Sequence, residues 1–89
     1  MTFLRFIKRR YCDLHLKGCR GYDHWDGENG EPVSTVCHIK TRGSGGEDHN
    51  NVISACIICH SLFENWPKTK KQQWLPLAES LTKEFYERV

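Results

Sequence analysis

The sequence predicts a small α+β domain that relies on a bound metal as well as on its core. Three observations carry that expectation. The chain has 89 residues, 38% of them hydrophobic, and a chain this short hides only about 60–65% of its unfolded surface. It holds five cysteines, and thin cores are commonly reinforced by disulfides or by a metal. Between Val33 and Cys59, a short β-branched run, a glycine-rich stretch, a second short apolar run and a Cys-x-x-Cys follow one another, ahead of a striped C-terminal segment. One domain over 1–89 accommodates all of this, with a motif core at about 11–65 and a last helix at about 75–88.

Composition excludes several classes. Charged residues are 27% and mixed in sign, which argues against wholesale disorder. Apolar runs are only a few residues long, which argues against a membrane span. Phe3, Leu4, Phe6 and Ile7 alternate with Arg5, Lys8, Arg9 and Arg10, so the start lacks the unbroken apolar stretch of a secretion signal. The formal net charge is +2. Four thiolates around one divalent ion would bring it to about zero, so bulk charge does not speak for nucleic acid and local clusters must.

Taken in order, the N-terminal apolar residues are expected to pack on the last helix. Gly21 to Pro32 is turn chemistry, rich in Gly, Asp, Glu and Asn. Its Asp23, His24, Asp26, Glu28 and Glu31 do not match a calcium loop, so the segment reads as a solvated hairpin tip. Val33 to Ile39 reads as a strand. RGSGG at Arg42–Gly46 is a loop with positive-φ positions, and a returning strand starts at about Asn51. A helix from Ile57 or Ile58 to about Trp66 stops at Pro67. Pro76 suits the first turn of the final helix, where Leu77, Leu81 and Phe85 with Ala78 make one apolar stripe.

Cys56-Ile57-Ile58-Cys59 aims two sulfurs at one point, the usual half of a tetrahedral zinc site. Cys12 and Cys19, seven apart across a turn containing Gly18, supply the other half. Cys12, Cys19, Cys56 and Cys59 are therefore assigned to one structural Zn²⁺. His15, at Cys12+3, also has ligand spacing and is the alternative to Cys19, as is His60. The odd cysteine count and the missing secretion signal make disulfides the weaker choice. Cys37 is left over, next to His38 and just before the glycine loop.

The segment CHIKTRGSGGEDHNNVISACIICH, Cys37 to His60, resembles the HNH endonuclease family. His38-Ile39, Gly45-Gly46, Asp48, Asn51 and Cys56-x-x-Cys59-His60 stand in the family's order. Cys12, Cys19 and Gly21 resemble the upstream cysteine pair of several phage members. The resemblance implies a ββα-metal finger: two antiparallel strands joined by a long loop, then a helix across them. It implies a metal-dependent nuclease that hydrolyses DNA phosphodiester bonds, nicking or cutting both strands with low sequence specificity.

Phosphodiester cleavage needs an activated water and charge stabilisation on the phosphate. The resemblance gives His38 the role of general base, which suits a neutral imidazole. It makes His60 a ligand of one catalytic divalent metal (Mg²⁺, Mn²⁺, Ni²⁺ or Zn²⁺). Asn51 would bond loop backbone and fix His38. Asp48 is read as a loop cap or solvated charge. Cys37 stands where the family has an acid or a His; its thiolate would suit a softer metal. Glu64, one turn after His60, is the alternative ligand and would suit Mg²⁺ or Mn²⁺. Lys40, Arg42, Lys68, Lys70 and Lys71 are candidate phosphate contacts. The implied partners are DNA and phage packaging or recombination proteins, without a membrane, in the cytoplasm of a bacterial host. Two other readings stand beside the nuclease: a non-catalytic zinc finger binding nucleic acid or protein, and a redox or metal sensor built on Cys37.

Overall fold

The computed structural model describes residues 2–25, 30, 32–40 and 48–88. The chain opens with helix α1 (Phe3–Lys8), whose N-cap Thr2 accepts a hydrogen bond from the Arg5 N–H at 3.2 Å. Phe3, Phe6 and Ile7 fall at i, i+3 and i+4 and are the buried face. Residues 9–23 then run without regular structure, closed by the Cys12 N–H donating to the Gly21 carbonyl at 2.7 Å. β1 (His24–Trp25) and β2 (Pro32–Val33) pair antiparallel, His24 opposite Val33. The expected hairpin is thus present at its base, while Asp26, Glu28 and Glu31 of its acidic tip lie outside the described residues.

β3 (Thr35–His38) and β4 (Val52–Ala55) form the central antiparallel pair, Thr35 opposite Ala55 and His38 opposite Val52. The first strand was expected as one run from Val33 to Ile39. It divides at Ser34, whose N–H donates to the Lys8 carbonyl at 2.7 Å and whose hydroxyl donates to the Arg10 carbonyl at 3.0 Å. The backbone at Ser34 is therefore committed to the segment after α1. Ser54 is the matching anchor in β4: its hydroxyl donates to the Tyr11 carbonyl at 2.8 Å, and its N–H donates to the Asp13 carboxylate at 3.0 Å. These bonds cover the outer edge of β4 and fix the stretch that carries Cys12.

α2 (Ile57–Glu64) follows β4 directly and ends at C-cap Asn65, two residues before Pro67. α3 (Lys68–Gln72) is a short helix between the two expected ones, in a stretch where no regular element is expected. α4 (Leu75–Arg88) packs Ala78, Leu81 and Phe85 inward as expected. Leu77 is only partly buried, and Thr82 takes its place on the buried face. The Thr82 hydroxyl donates to the Ala78 carbonyl and accepts from the Asn50 N–H at 2.8 Å, so its polar atom is satisfied.

The core lies where α1 and α4 meet the sheet. Phe85 touches Phe3 and Phe6 at centroid distances of 5.4 and 5.6 Å, which is the expected packing of the N-terminus on the stripe. All four residues of β4 are buried, and Phe63, Ile7, Ile53 and Val52 are the largest fully buried side chains. Each such side chain contributes about 1.5–3 kcal/mol, but few are available in a chain of this length.

Candidate metal centre and histidine site

The sulfurs of Cys12, Cys19, Cys56 and Cys59 all lie within 4.8 Å of one another and could hold a metal ion. Two loops and a helix start build the group. Cys56 is the N-cap of α2 and Cys59 sits in its first turn, which puts both sulfurs at the same end of the helix. Cys19 lies between Gly18 and Gly21, at φ +85° and +79°. Those glycines take left-handed backbone that a side chain resists. A Cβ on Gly21 would also come within 2.5 Å of the Tyr11 ring. The tight turn lets backbone donors face sulfur: Arg20 N–H to Cys56 Sγ and Gly21 N–H to Cys19 Sγ, both 3.4 Å.

These contacts set the acidity of the thiols. Burial pushes the Cys56 thiol up, but the N–H groups of Arg20 and Cys59 and the neighbouring Cys59 and Cys19 outweigh it and bring it to about 7. Burial raises Cys59, with the thiols of Cys12, Cys56 and Cys19 adding to the rise, and burial raises Cys19, with Cys12 adding to it and Cys59 opposing it. One sulfur is thus readily ionised at neutral pH, and a divalent cation would have to hold the rest as thiolates. His15 is outside the group; its ring stacks on Tyr11 at 5.1 Å. The choice between His15 and Cys19 falls to Cys19.

The second region lies at the end of β3 and along α2. His38 Nε2 is 2.8 Å from Asp48 Oδ1. Asp48, read from sequence as a cap or solvated charge, is bonded to the histidine of the motif. A carboxylate accepts, so the bond places the proton on Nε2 and makes Nδ1 the lone-pair nitrogen of the neutral ring. Asn51 is buried and ties Lys40 on both sides: its Oδ1 accepts from the Lys40 N–H at 2.8 Å, and its Nδ2 donates to the Lys40 carbonyl at 2.9 Å. The strand exit two residues beyond His38 is thereby clamped to the start of β4.

His60 is held by a residue that no sequence motif flagged. Thr35 Oγ1 lies 2.7 Å from the Ala55 carbonyl and 2.9 Å from His60 Nδ1. A carbonyl only accepts, so the hydroxyl proton goes to Ala55 and His60 Nδ1 must donate to Thr35. Nε2 of the neutral ring is then a bare lone pair, 3.2 Å from Glu64 Oε1. With Glu64 68% exposed, a shared proton, a bridging water or a metal ion could each join the two groups. Thr35 would have been legible only from the strand register, which sets it opposite Ala55, the residue just before the Cys-x-x-Cys.

Cys37 is fully buried. Burial, with the nearby charge of Glu64 adding to it, pushes its thiol up to about 12. Among the described residues, only the four-cysteine group brings three or more potential ligand atoms together, so Cys37, His60 and Glu64 do not converge in that way. Lys40 and Lys68 are exposed. Lys70 Nζ sits 4.0 Å above the Trp66 ring, and Lys71 Nζ is 5.8 Å from the Phe63 ring centre. Arg42 and the Gly45-Gly46 loop lie outside the described residues. Among the described residues no helix is long and apolar enough to cross a membrane. Compared with known proteins, the chain matches no family model, no curated protein and no solved structure.

Proposed function

We propose that this protein is a metal-dependent HNH-type endonuclease that hydrolyses DNA phosphodiester bonds on a ββα-metal finger stapled by structural zinc. The observation that carries the reading is the bare Nε2 of His60 facing the Glu64 carboxylate at 3.2 Å. That arrangement suits a divalent cation on the helix that follows a β-hairpin bearing His38. Four sulfurs in one cluster suit Zn²⁺, which takes tetrahedral thiolate sites and does no redox chemistry. With all four positions filled by the chain, zinc there would serve folding.

At the other site the chain's own groups divide the work. His38 takes a proton from the attacking water at Nδ1. Asp48 holds the opposite nitrogen, orients the ring and stabilises the imidazolium that forms. Asn51 sets the strand exit that carries His38. His60 and Glu64 would hold a divalent metal, which would supply charge neutralisation at the scissile phosphate and the leaving 3′ oxygen. The mixed nitrogen and carboxylate donors suit Mg²⁺, Mn²⁺ or Ni²⁺. Cys37, with its proton held by burial, is a neutral thiol of the core. That also speaks against a redox role, because reactivity needs the thiolate. Lys40, Lys68, Lys70 and Lys71 would face DNA phosphates.

Plasmid nicking with Mg²⁺, Mn²⁺, Ni²⁺ and Zn²⁺ in turn tests the reading. His38→Ala should lower the rate by about 10²–10⁴-fold. Equal rates in mutant and wild type would end the nuclease claim. One observation favours a second reading, a zinc finger that binds nucleic acid or a protein partner without cutting it: His60 and Glu64 supply only two converging donors, and a proton between them satisfies both.

A further inference from the structure

The His38–Asp48 bond is 2.8 Å long, but its two side chains are 26% and 31% exposed. A bond this open to water contributes little by itself and does not fix its own geometry. The place of the Asp48 carboxylate therefore depends on how its backbone is held. After Asp48 the chain makes a turn, closed by the Asn51 N–H donating to the Asp48 carbonyl at 3.3 Å. Asn50, third in that turn, has φ +61°, a left-handed value that asparagine takes more readily than most residues.

Two side chains of α4, one helical turn apart, grip this turn. Thr82 Oγ1 accepts from the Asn50 N–H at 2.8 Å, and the Tyr86 hydroxyl lies 2.6 Å from His49 Nε2. The His49 ring also stacks on Phe3 of α1, with centroids 4.8 Å apart, so the turn rests on the core where α1 and α4 meet. Thr82 is 7% exposed. A valine would fill the same space with no polar atom to satisfy, and the hydroxyl is accounted for by the turn it holds.

We propose that Thr82 and Tyr86 are positioning residues: α4 sets the turn at 48–51, and through it the Asp48 carboxylate that orients His38. Neither side chain touches a reacting atom. The inference rests on the nuclease reading for its consequence in catalysis alone, because the orientation of the His38 ring can be read without any cleavage.

Nitrogen NMR of the full chain reads that ring. Wild type should show His38 with its proton on Nε2. Thr82→Val should mix the two tautomers, Thr82→Val with Tyr86→Phe should mix them further, and Thr82→Ser should restore the single one. His60, whose ring is held by Thr35, should not change. Tyr86 is 53% exposed, so Tyr86→Phe alone should keep the fold and give a smaller change in the same direction. In plasmid nicking, Thr82→Val should lower kcat by up to about 10²-fold with KM nearly unchanged. A wild type that does not nick at all ends the nuclease reading and leaves the ring result standing. An unchanged His38 tautomer in the double variant overturns the proposal. So does an equal change at His60, which would mean a general loosening of the fold. If the Thr82 variants do not fold, an unchanged tautomer in Tyr86→Phe overturns it instead.

Discussion

The four-cysteine cluster and the His38–His60 region are built from neighbouring stretches of chain, yet they are finished to different degrees. In the first, four sulfurs converge within 4.8 Å, three of them on fully buried residues, and backbone N–H groups point at sulfur. In the second, two histidines, 25–26% exposed, each meet one carboxylate, at 2.8 and 3.2 Å, and the Glu64 carboxylate side chain is 68% exposed. A cluster closed by its own chain can stabilise a fold but has no position left for a substrate. An open pair of donors stabilises little and leaves room for one. The contrast separates what a metal would do for folding from what a second metal would do for chemistry.

The largest expected effect comes from opening the closed cluster. Structural zinc binding is worth about 10–16 kcal/mol in small zinc domains, comparable to or above the whole stability of a typical domain. Cys56→Ser, or removal of the metal by a strong chelator, should abolish the cooperative melting transition and the bound metal together. If Cys56→Ser kept both its melting temperature and one metal per chain, the cluster would not be the staple and the contrast would collapse. Next in size is Asn51→Ala. It removes two hydrogen bonds to Lys40 and should cost about 2 kcal/mol, a fall in melting temperature of about 10 °C for a domain of this size. Tightly held metal should be unchanged.

Much of this was legible in the chain. Cys-x-x-Cys and the upstream cysteine pair pointed to one cluster because ligand spacing is a local property. The strand–loop–strand–helix order was legible for the same reason. α1 was missed although Phe3, Phe6 and Ile7 have helical spacing, because six residues are too few for periodicity to stand out with Leu4 and Arg5 between them. α3 was missed because KTKKQ has no apolar face at all. The division of the first strand at Ser34 depends on Lys8 and Arg10, more than twenty positions away, and nothing local announces it. Asp48 and Thr35 were misjudged or unseen for a related reason. Their roles come from partners 10 and 25 residues distant, which only the folded chain brings within hydrogen-bond reach.

Thr35 offers a sharper test of the open site. Thr35→Val keeps the shape and removes the acceptor for His60 Nδ1–H. Affinity for a second, weakly held divalent ion should fall about tenfold, as for other groups that orient a metal-binding histidine. The four-sulfur metal should stay bound. Nitrogen NMR of His60 should show the ring losing its single Nδ1–H tautomer in Thr35→Val and regaining it in Thr35→Ser. An unchanged tautomer would mean that the hydroxyl does not set the ring, and the lone-pair argument would lose its footing.

The last effect appears only at alkaline pH and concerns Cys37, a buried thiol of β3 outside the four-cysteine group. Its thiol is pushed from an ordinary 9.0 up to about 12 by burial, with the Glu64 charge adding to the shift. The folded chain therefore keeps this proton at pH values where the unfolded chain has lost it. The resulting stability is fully present below pH 9 and drains away as pH rises from 9 towards 12. The slope approaches one proton, about 1.4 kcal/mol per pH unit. Cys37→Ala should remove that part of the slope while changing little in the pH dependence below 8. Urea unfolding of both proteins across pH 8 to 11 reads the difference directly. A zinc-held Cys37 would behave in the opposite way, because a ligating thiolate is already deprotonated in the folded state and gives no alkaline loss. Parallel curves for wild type and Cys37→Ala would mean an unshifted thiol, whereas a wild-type curve that gains on Cys37→Ala up to about pH 9 would move Cys37 into a metal site and leave the comparison between a closed cluster and an open one to be redrawn around it.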